Sequence, residues 1–268
     1  MRSIILFLVS LFSIQGAFAA AVDTIKVHSP AMKRDVVCVV VEPDNISADE
    51  KLPVIYMLHG HGGSYRTWIN GFDTKDLVDQ YRVIAVIPDG DRDSWYIDSP
   101  IDSSVRYETF ISKELIAHID SNYSTIKSRS GRAITGLSMG GHGALYNAIR
   151  NQDVFGAAGS MSGGVDIRPF PNNWAMSEVL GEKKDYPENW DNHTVIEQLH
   201  LLTKDSLALI IDCGEQDFFF GVNEALHEKL QYLNIPHRYI TDEGAHTGAY
   251  WKKAIHYHFL FFSQFFEK

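Results

Sequence analysis

The chain has 268 residues, 45% of them hydrophobic, and its 24 Lys and Arg against 34 Asp and Glu give a formal net charge of −10. That size and apolar content suit one sizeable core in a single domain. The acidic balance, with no basic stripe, excludes a nucleic-acid surface, which needs clustered Lys and Arg.

Residues 1–19 begin with Met1-Arg2-Ser3, continue in an apolar run over 4–14 and end in Gly16-Ala17-Phe18-Ala19. This is the charge, apolar core and small-residue site of a cleaved secretory signal, with cleavage after Ala19. The run is well short of the roughly 20 residues a bilayer span requires. Export to a secreted or periplasmic location is therefore expected, rather than membrane anchoring, with no stable membrane insertion after cleavage. Two cysteines, Cys38 and Cys213, sit in apolar runs and read as buried core thiols, not as a disulfide framework or a metal site.

From residue 20 to 268 the pattern predicts one α/β domain. Residues 24–28 and 35–41 form an N-terminal antiparallel hairpin. Apolar strand-like runs follow at 54–58, 83–87, 133–135, 157–161, 207–211 and 238–241, separated by helical or loop segments. This alternation is the signature of a mostly parallel central sheet covered by helices on both faces. Helical stripes run through Phe110, Leu115, Ile119 and Tyr123, through Val222, Leu226, Leu230 and Leu233, and through Trp251, Ile255, Phe259, Phe262 and Phe266. Around 165–200 the periodicity fades into prolines, Trp174, Trp190 and mixed charges, which predicts a lid-like insert.

The strongest chemical signal is Gly136-Leu-Ser138-Met-Gly140, placed where an apolar strand runs into a helical pattern. A strand that turns sharply into a helix holds its central residue in strained geometry and presents the Ser138 hydroxyl above the carboxyl edge of the sheet. A serine is a poor nucleophile unless a base takes its proton, so an acid and a histidine are sought later in the chain. His246 follows the last strand and precedes the C-terminal helix; His227, His237, His256 and His258 read as packing or surface residues. Asp217 falls beyond the end of its strand, whereas Asp212 lies within it and Glu215 just after. The turn His59-Gly60-His61-Gly62-Gly63 can offer backbone N–H groups to an oxyanion, which assigns the amides of His61 and Met139 as donors. A zinc reading of the same two histidines is weaker, because no carboxylate partners them, and no metal or other cofactor is expected.

These motifs, with Asp93-Ser-Trp95-Tyr96, Tyr107-Glu-Thr-Phe-Ile-Ser-Lys-Glu114, Phe155-Gly, Ser160-Met-Ser-Gly163 and Cys213-Gly-Glu-Gln-Asp217, resemble the α/β-hydrolase family named Putative esterase (esterase D). That family includes feruloyl and acetyl-xylan esterases, S-formylglutathione hydrolases and mycolyltransferases. The resemblance covers nearly all of the chain after residue 19. It implies a Ser138–Asp217–His246 triad, an oxyanion hole at His61 and Met139, and a substrate pocket bordered by Trp95, Tyr96 and Trp251. Trp95 and Tyr96 suit a packing role equally well. One departure stands out: many relatives carry an aromatic residue two positions after the catalytic histidine, where this chain has Gly248.

The implied activity is serine ester hydrolysis through an acyl-enzyme, on a small-molecule or polysaccharide-linked feruloyl or acetyl ester. An acyltransferase using the same triad and a non-catalytic carbohydrate-binding protein on a hydrolase scaffold are the alternatives. The acidic stretch Asp89, Asp91, Asp93 and Asp98 lacks calcium-loop spacing and reads as solvated. Asn45, Asn122 and Asn192 begin glycosylation-type tripeptides.

Overall fold

The computed structural model describes residues 20–268; the predicted signal lies outside the described residues. Eight strands form one sheet: β1 (Ala21–Ser29), β2 (Arg34–Glu42), β3 (Val54–Leu58), β4 (Ile84–Pro88), β5 (Arg132–Gly136), β6 (Ala157–Met161), β7 (Ala208–Gly214) and β8 (Arg238–Asp242). Their order is β1-β2-β4-β3-β5-β6-β7-β8. β1 and β2 pair antiparallel, as do β2 and β4, and every pairing from β4 through β3 to β8 is parallel. The expected hairpin and mostly parallel sheet are thus both present.

Parallel strands must bury both faces, and the alternation of side chains shows how. Val54, Tyr56 and Leu58 enter one core and Ile55 and Met57 the other; Ile84 and Val86 are likewise opposed to Ala85 and Ile87. Short helices α1 (Thr67–Asn70) and α2 (Thr74–Tyr81) follow β3. After β4 comes a continuous helical stretch of α3 (Tyr107–Thr109), a π-helical turn (Phe110–Leu115) and α4 (Ile116–Asn122). The remaining helices are α5 (Met139–Arg150), α6 (Met176–Leu180), α7 (Pro187–Asn192), α8 (Phe220–Tyr232) and α9 (Gly248–Phe266). The first core takes Phe110, Leu115, Ile119, Leu145, Leu226 and Leu230; the second takes Leu77, Val78, Ile255, Phe259 and Phe262. Leu233, expected in a core stripe, lies just past the end of α8 and is exposed.

The stretch from about residue 165, expected to form an insert, holds α6, α7 and a 3₁₀ segment over Val195–Leu201. Arg168 binds Asp166, Asp191 and Glu197 within it, and the Trp190 indole is buried with its N–H donated to Gly181 O at 2.9 Å. It is tied to the body where Ser99 Oγ donates to Val179 O at 2.6 Å and where the His142 ring reaches His193 O at 2.8 Å. Cys38 and Cys213 are buried free thiols, and burial pushes both thiol pKa values up. No helix among the described residues is long and apolar enough to cross a membrane.

Candidate active site

β5 ends at Gly136 and α5 begins at Met139, so the chain must reverse within two residues. Ser138 absorbs the turn with φ 56° and ψ −116°, a backbone conformation costing about 1–3 kcal/mol that only surrounding structure can hold. Its amide donates to Met161 O at 2.9 Å. The strand and helix backbones are pressed together here: a β-carbon at Gly140 would lie 2.3 Å from Leu58 O. Glycine is required there by contact, which explains the Gly-x-Ser-x-Gly spacing.

Two other loops meet Ser138 at the same edge. Beyond β7, the Asp217 amide donates to Gly214 O at 3.0 Å and its Oδ1 accepts from the Phe219 amide at 2.8 Å. Beyond β8, the loop carrying His246 is joined to the Asp217 loop by Glu215 N to Asp242 O, Gln216 N to Gly244 O and Gly244 N to Gln216 Oε1, at 3.0, 2.9 and 2.8 Å. His246 Nδ1 then lies 2.8 Å from Asp217 Oδ2 and 3.0 Å from Oδ1, and Nε2 lies 2.9 Å from Ser138 Oγ. A carboxylate can only accept, so the imidazole proton belongs on Nδ1 and the Nε2 lone pair faces the hydroxyl. The Asp217 side chain is wholly buried, whereas Ser138 keeps 8% of its surface open. Asp212, the rejected acid, stays within β7 and meets His258 instead.

The turn after β3 is closed by Gly62 N to Arg92 O at 2.8 Å and Gly63 N to Gly60 O at 2.9 Å. Among the described residues, neither the His61 nor the Met139 amide donates to a protein acceptor, which leaves both free to meet a developing oxyanion. His59 stiffens this turn from below. Gly90 N donates to its Nε2 at 2.8 Å, so Nδ1 carries the proton and donates to Gly60 O at 2.9 Å. Burial lowers its pKa and keeps the ring neutral. Both ring nitrogens are thereby occupied, and among the described residues no cluster of His, Cys, Asp and Glu is arranged for a metal ion.

A cavity of about 510 Å³ opens over Ser138, walled by Gly60 to Gly63, Phe72, Trp174, Phe218, Gly248 and Trp251. Trp251 stands edge-on to His246 with ring centroids 4.9 Å apart. Trp95 and Tyr96 do not line it, correcting the expectation placed on them. Tyr96 is fully buried, with its hydroxyl bonded to His59 N at 2.9 Å and His59 O at 3.1 Å. Trp95 is buried beneath Trp174, donating its N–H to Trp174 O at 3.3 Å. Phe218, which the sequence does not single out, stands beside His246 with centroids 4.2 Å apart and stacks on Trp174.

A sheet of this topology with a serine elbow at its carboxyl edge defines an α/β-hydrolase, and the class here is carboxylesterase. The chain matches the family Putative esterase over residues 29–262 and belongs to it. It is 28% identical to an acetyl esterase of Caldicellulosiruptor saccharolyticus over 227 residues, 77% of this chain and 81% of the relative. It is 35% identical to an esterase of Mycobacterium tuberculosis over 237 residues, 78% of this chain but only 52% of that protein, so it spans about half of the latter's length. A solved ferulic acid esterase superposes with a TM-score of 0.80 at 27% identity, covering 92% of this chain and 100% of that one.

Proposed function

We propose that this carboxylesterase is a secreted serine hydrolase that works through an acyl-enzyme. The observation that carries the reading is the hydrogen-bonded series Asp217–His246–Ser138, at 2.8 and 2.9 Å, under an open apolar cavity. In this mechanism Ser138 Oγ attacks the ester carbonyl while His246 Nε2 takes its proton. Asp217 holds the imidazole and stabilises its charged form, and the His61 and Met139 amides stabilise the oxyanion. His246 then returns the proton to the departing alcohol, and water repeats the sequence on the acyl-enzyme.

The proposed substrate is a feruloyl or acetyl ester on polysaccharide or a related alcohol. Among the described residues no Asp, Glu, Lys or Arg lines the cavity, which suits an uncharged acyl group and offers nothing to the carboxylates of a glutathione thioester. Likeness to an acetyl esterase and to a ferulic acid esterase points the same way. Residues 20–268 act as one catalytic domain in this reading, the insert contributes Trp174 to the cavity wall, and residues 1–19 direct export. Ser138→Ala is expected to fold normally and to lose hydrolysis of 4-nitrophenyl acetate together with covalent labelling by a fluorophosphonate. Unchanged turnover by the purified variant sinks the mechanism.

A second reading, transfer of the acyl group to a sugar hydroxyl, is favoured by 30% identity to a Mycobacterium leprae diacylglycerol acyltransferase/mycolyltransferase over 76% of this chain. Product analysis with a polyol acceptor separates it from hydrolysis.

A further inference from the structure

His258 lies in the middle of α9 with no exposed surface. Its Nε2 is 2.6 Å from Asp212 Oδ2, and its Nδ1 is 2.7 Å from Thr135 Oγ1. A β-carbon at Gly159 would come within 2.3 Å of Nδ1, so β6 admits the ring only because that residue has no side chain. One imidazole therefore joins α9 to β5, β6 and β7. These elements are the ones that deliver the site: β5 runs into Ser138, β7 into the Asp217 loop, and α9 begins immediately after His246.

Stability alone does not account for this arrangement. Both partners are fully buried, and removing a carboxylate and an imidazole from water costs free energy that an apolar pair of similar volume avoids. What directional bonds supply, and apolar contact does not, is a single register. Close packing of Ile255, Phe259 and Phe262 resists sliding but fixes no direction, whereas two hydrogen bonds to fixed oxygens do.

We propose that Thr135, His258 and Asp212 form a buried brace that sets His246 against Ser138, with His258 as a positioning residue for the ester hydrolysis proposed above, on which this inference rests. Misplacement by about 1 Å from a remote change can cost up to about a hundredfold in rate. Removing the brace should therefore lower kcat and the labelling rate; Gly248 and Trp251 of the same helix wall the cavity, so KM is not the discriminating readout.

The test compares wild type with His258→Leu, Thr135→Val and Thr135→Ser. It uses 4-nitrophenyl acetate kinetics, the rate of fluorophosphonate labelling at Ser138, and thermal unfolding followed by circular dichroism. His258→Leu is expected to lose about tenfold or more in kcat and in labelling rate, with the fold intact at the assay temperature. Thr135→Val, an isosteric loss of the hydroxyl, should lose several-fold, and Thr135→Ser should restore wild-type rates. If His258→Leu does not fold, the two Thr135 variants decide the matter. Folded His258→Leu or Thr135→Val protein with kcat within about twofold of wild type overturns the brace. A wild-type chain that fluorophosphonate fails to label at Ser138 overturns the underlying mechanism as well, and shows as absent label rather than as equal rates.

Discussion

Replacing Asp217 by Asn keeps the size of the acid and removes its charge, and the surrounding bonds determine which way the amide turns. The Phe219 amide is buried and donates to Oδ1 at 2.8 Å, so the asparagine oxygen must occupy that position or leave the N–H unpaired, at a cost of about 1–3 kcal/mol. The NH₂ group then takes the place of Oδ2, 2.8 Å from His246 Nδ1. Two donors face each other there, and the imidazole relieves the clash by moving its proton to Nε2 or by swinging away. Either outcome leaves Ser138 without an acceptor for its proton. The expected loss in kcat is about 10³- to 10⁴-fold, or roughly 4–5.5 kcal/mol of transition-state stabilisation. Burst kinetics with 4-nitrophenyl acetate measure it, alongside circular dichroism to show that the variant is folded. A folded Asp217→Asn protein retaining more than about a tenth of wild-type kcat refutes the assignment of Asp217 as the acid.

Two further outcomes follow from residues around the site. Gly248 borders the cavity, and a β-carbon added there meets nothing within 4 Å, so Gly248→Phe should project its ring into the space without disturbing the fold. The ratio of kcat/KM for methyl ferulate to that for 4-nitrophenyl acetate should drop about tenfold while Tm stays within about 2 °C; an unchanged ratio contradicts the role of Gly248 as an opening in the wall. Burial pushes the His142 imidazole down to about 4, so between pH 6.5 and 4 the unfolded chain takes up a proton that the native state refuses. Stability contributed by the neutral ring is present above pH 6.5 and is lost as pH falls, by at most about 3 kcal/mol. Urea unfolding at pH 7 and pH 5 should show a smaller decline in His142→Gln than in wild type; equal declines count against it.

Much of the architecture was legible because it rests on local rules. The serine elbow combines an apolar strand, glycines forced by backbone contact and a helix start, all within a few residues of Ser138. The convergence of Asp217 and His246 on Ser138 was readable because loops at the carboxyl ends of parallel strands meet, so position relative to a predicted strand nearly sufficed. Trp95 and Tyr96 were not, since an aromatic side chain suits a pocket wall and a core alike. Both adopt left-handed backbone angles, with φ 52° and 57°, in the segment that packs beneath the oxyanion turn. Phe218 was hidden in a run of three phenylalanines, of which Phe219 is buried and Phe218 is 53% exposed. His258 read as a packing or surface residue of the C-terminal helix, and its partner Asp212 is 46 positions away, beyond the reach of any periodicity.

The hydrogen bonds that sew the Asp217 loop to the His246 loop have a consequence for how the enzyme fails. Asp217 and His246 lie in one patch fastened over the β7–β8 edge, and β8 is the terminal strand of the sheet, only partly covered. Ser138 sits in the turn that joins the interior strand β5, which is buried throughout, to α5. Peeling of the sheet from its β8 margin would therefore carry His246 and Asp217 away together and leave Ser138 seated without them. Heat inactivation is expected to begin with this local opening, and hydrogen exchange should find the amides of Glu215, Gln216 and Gly244 opening as one unit.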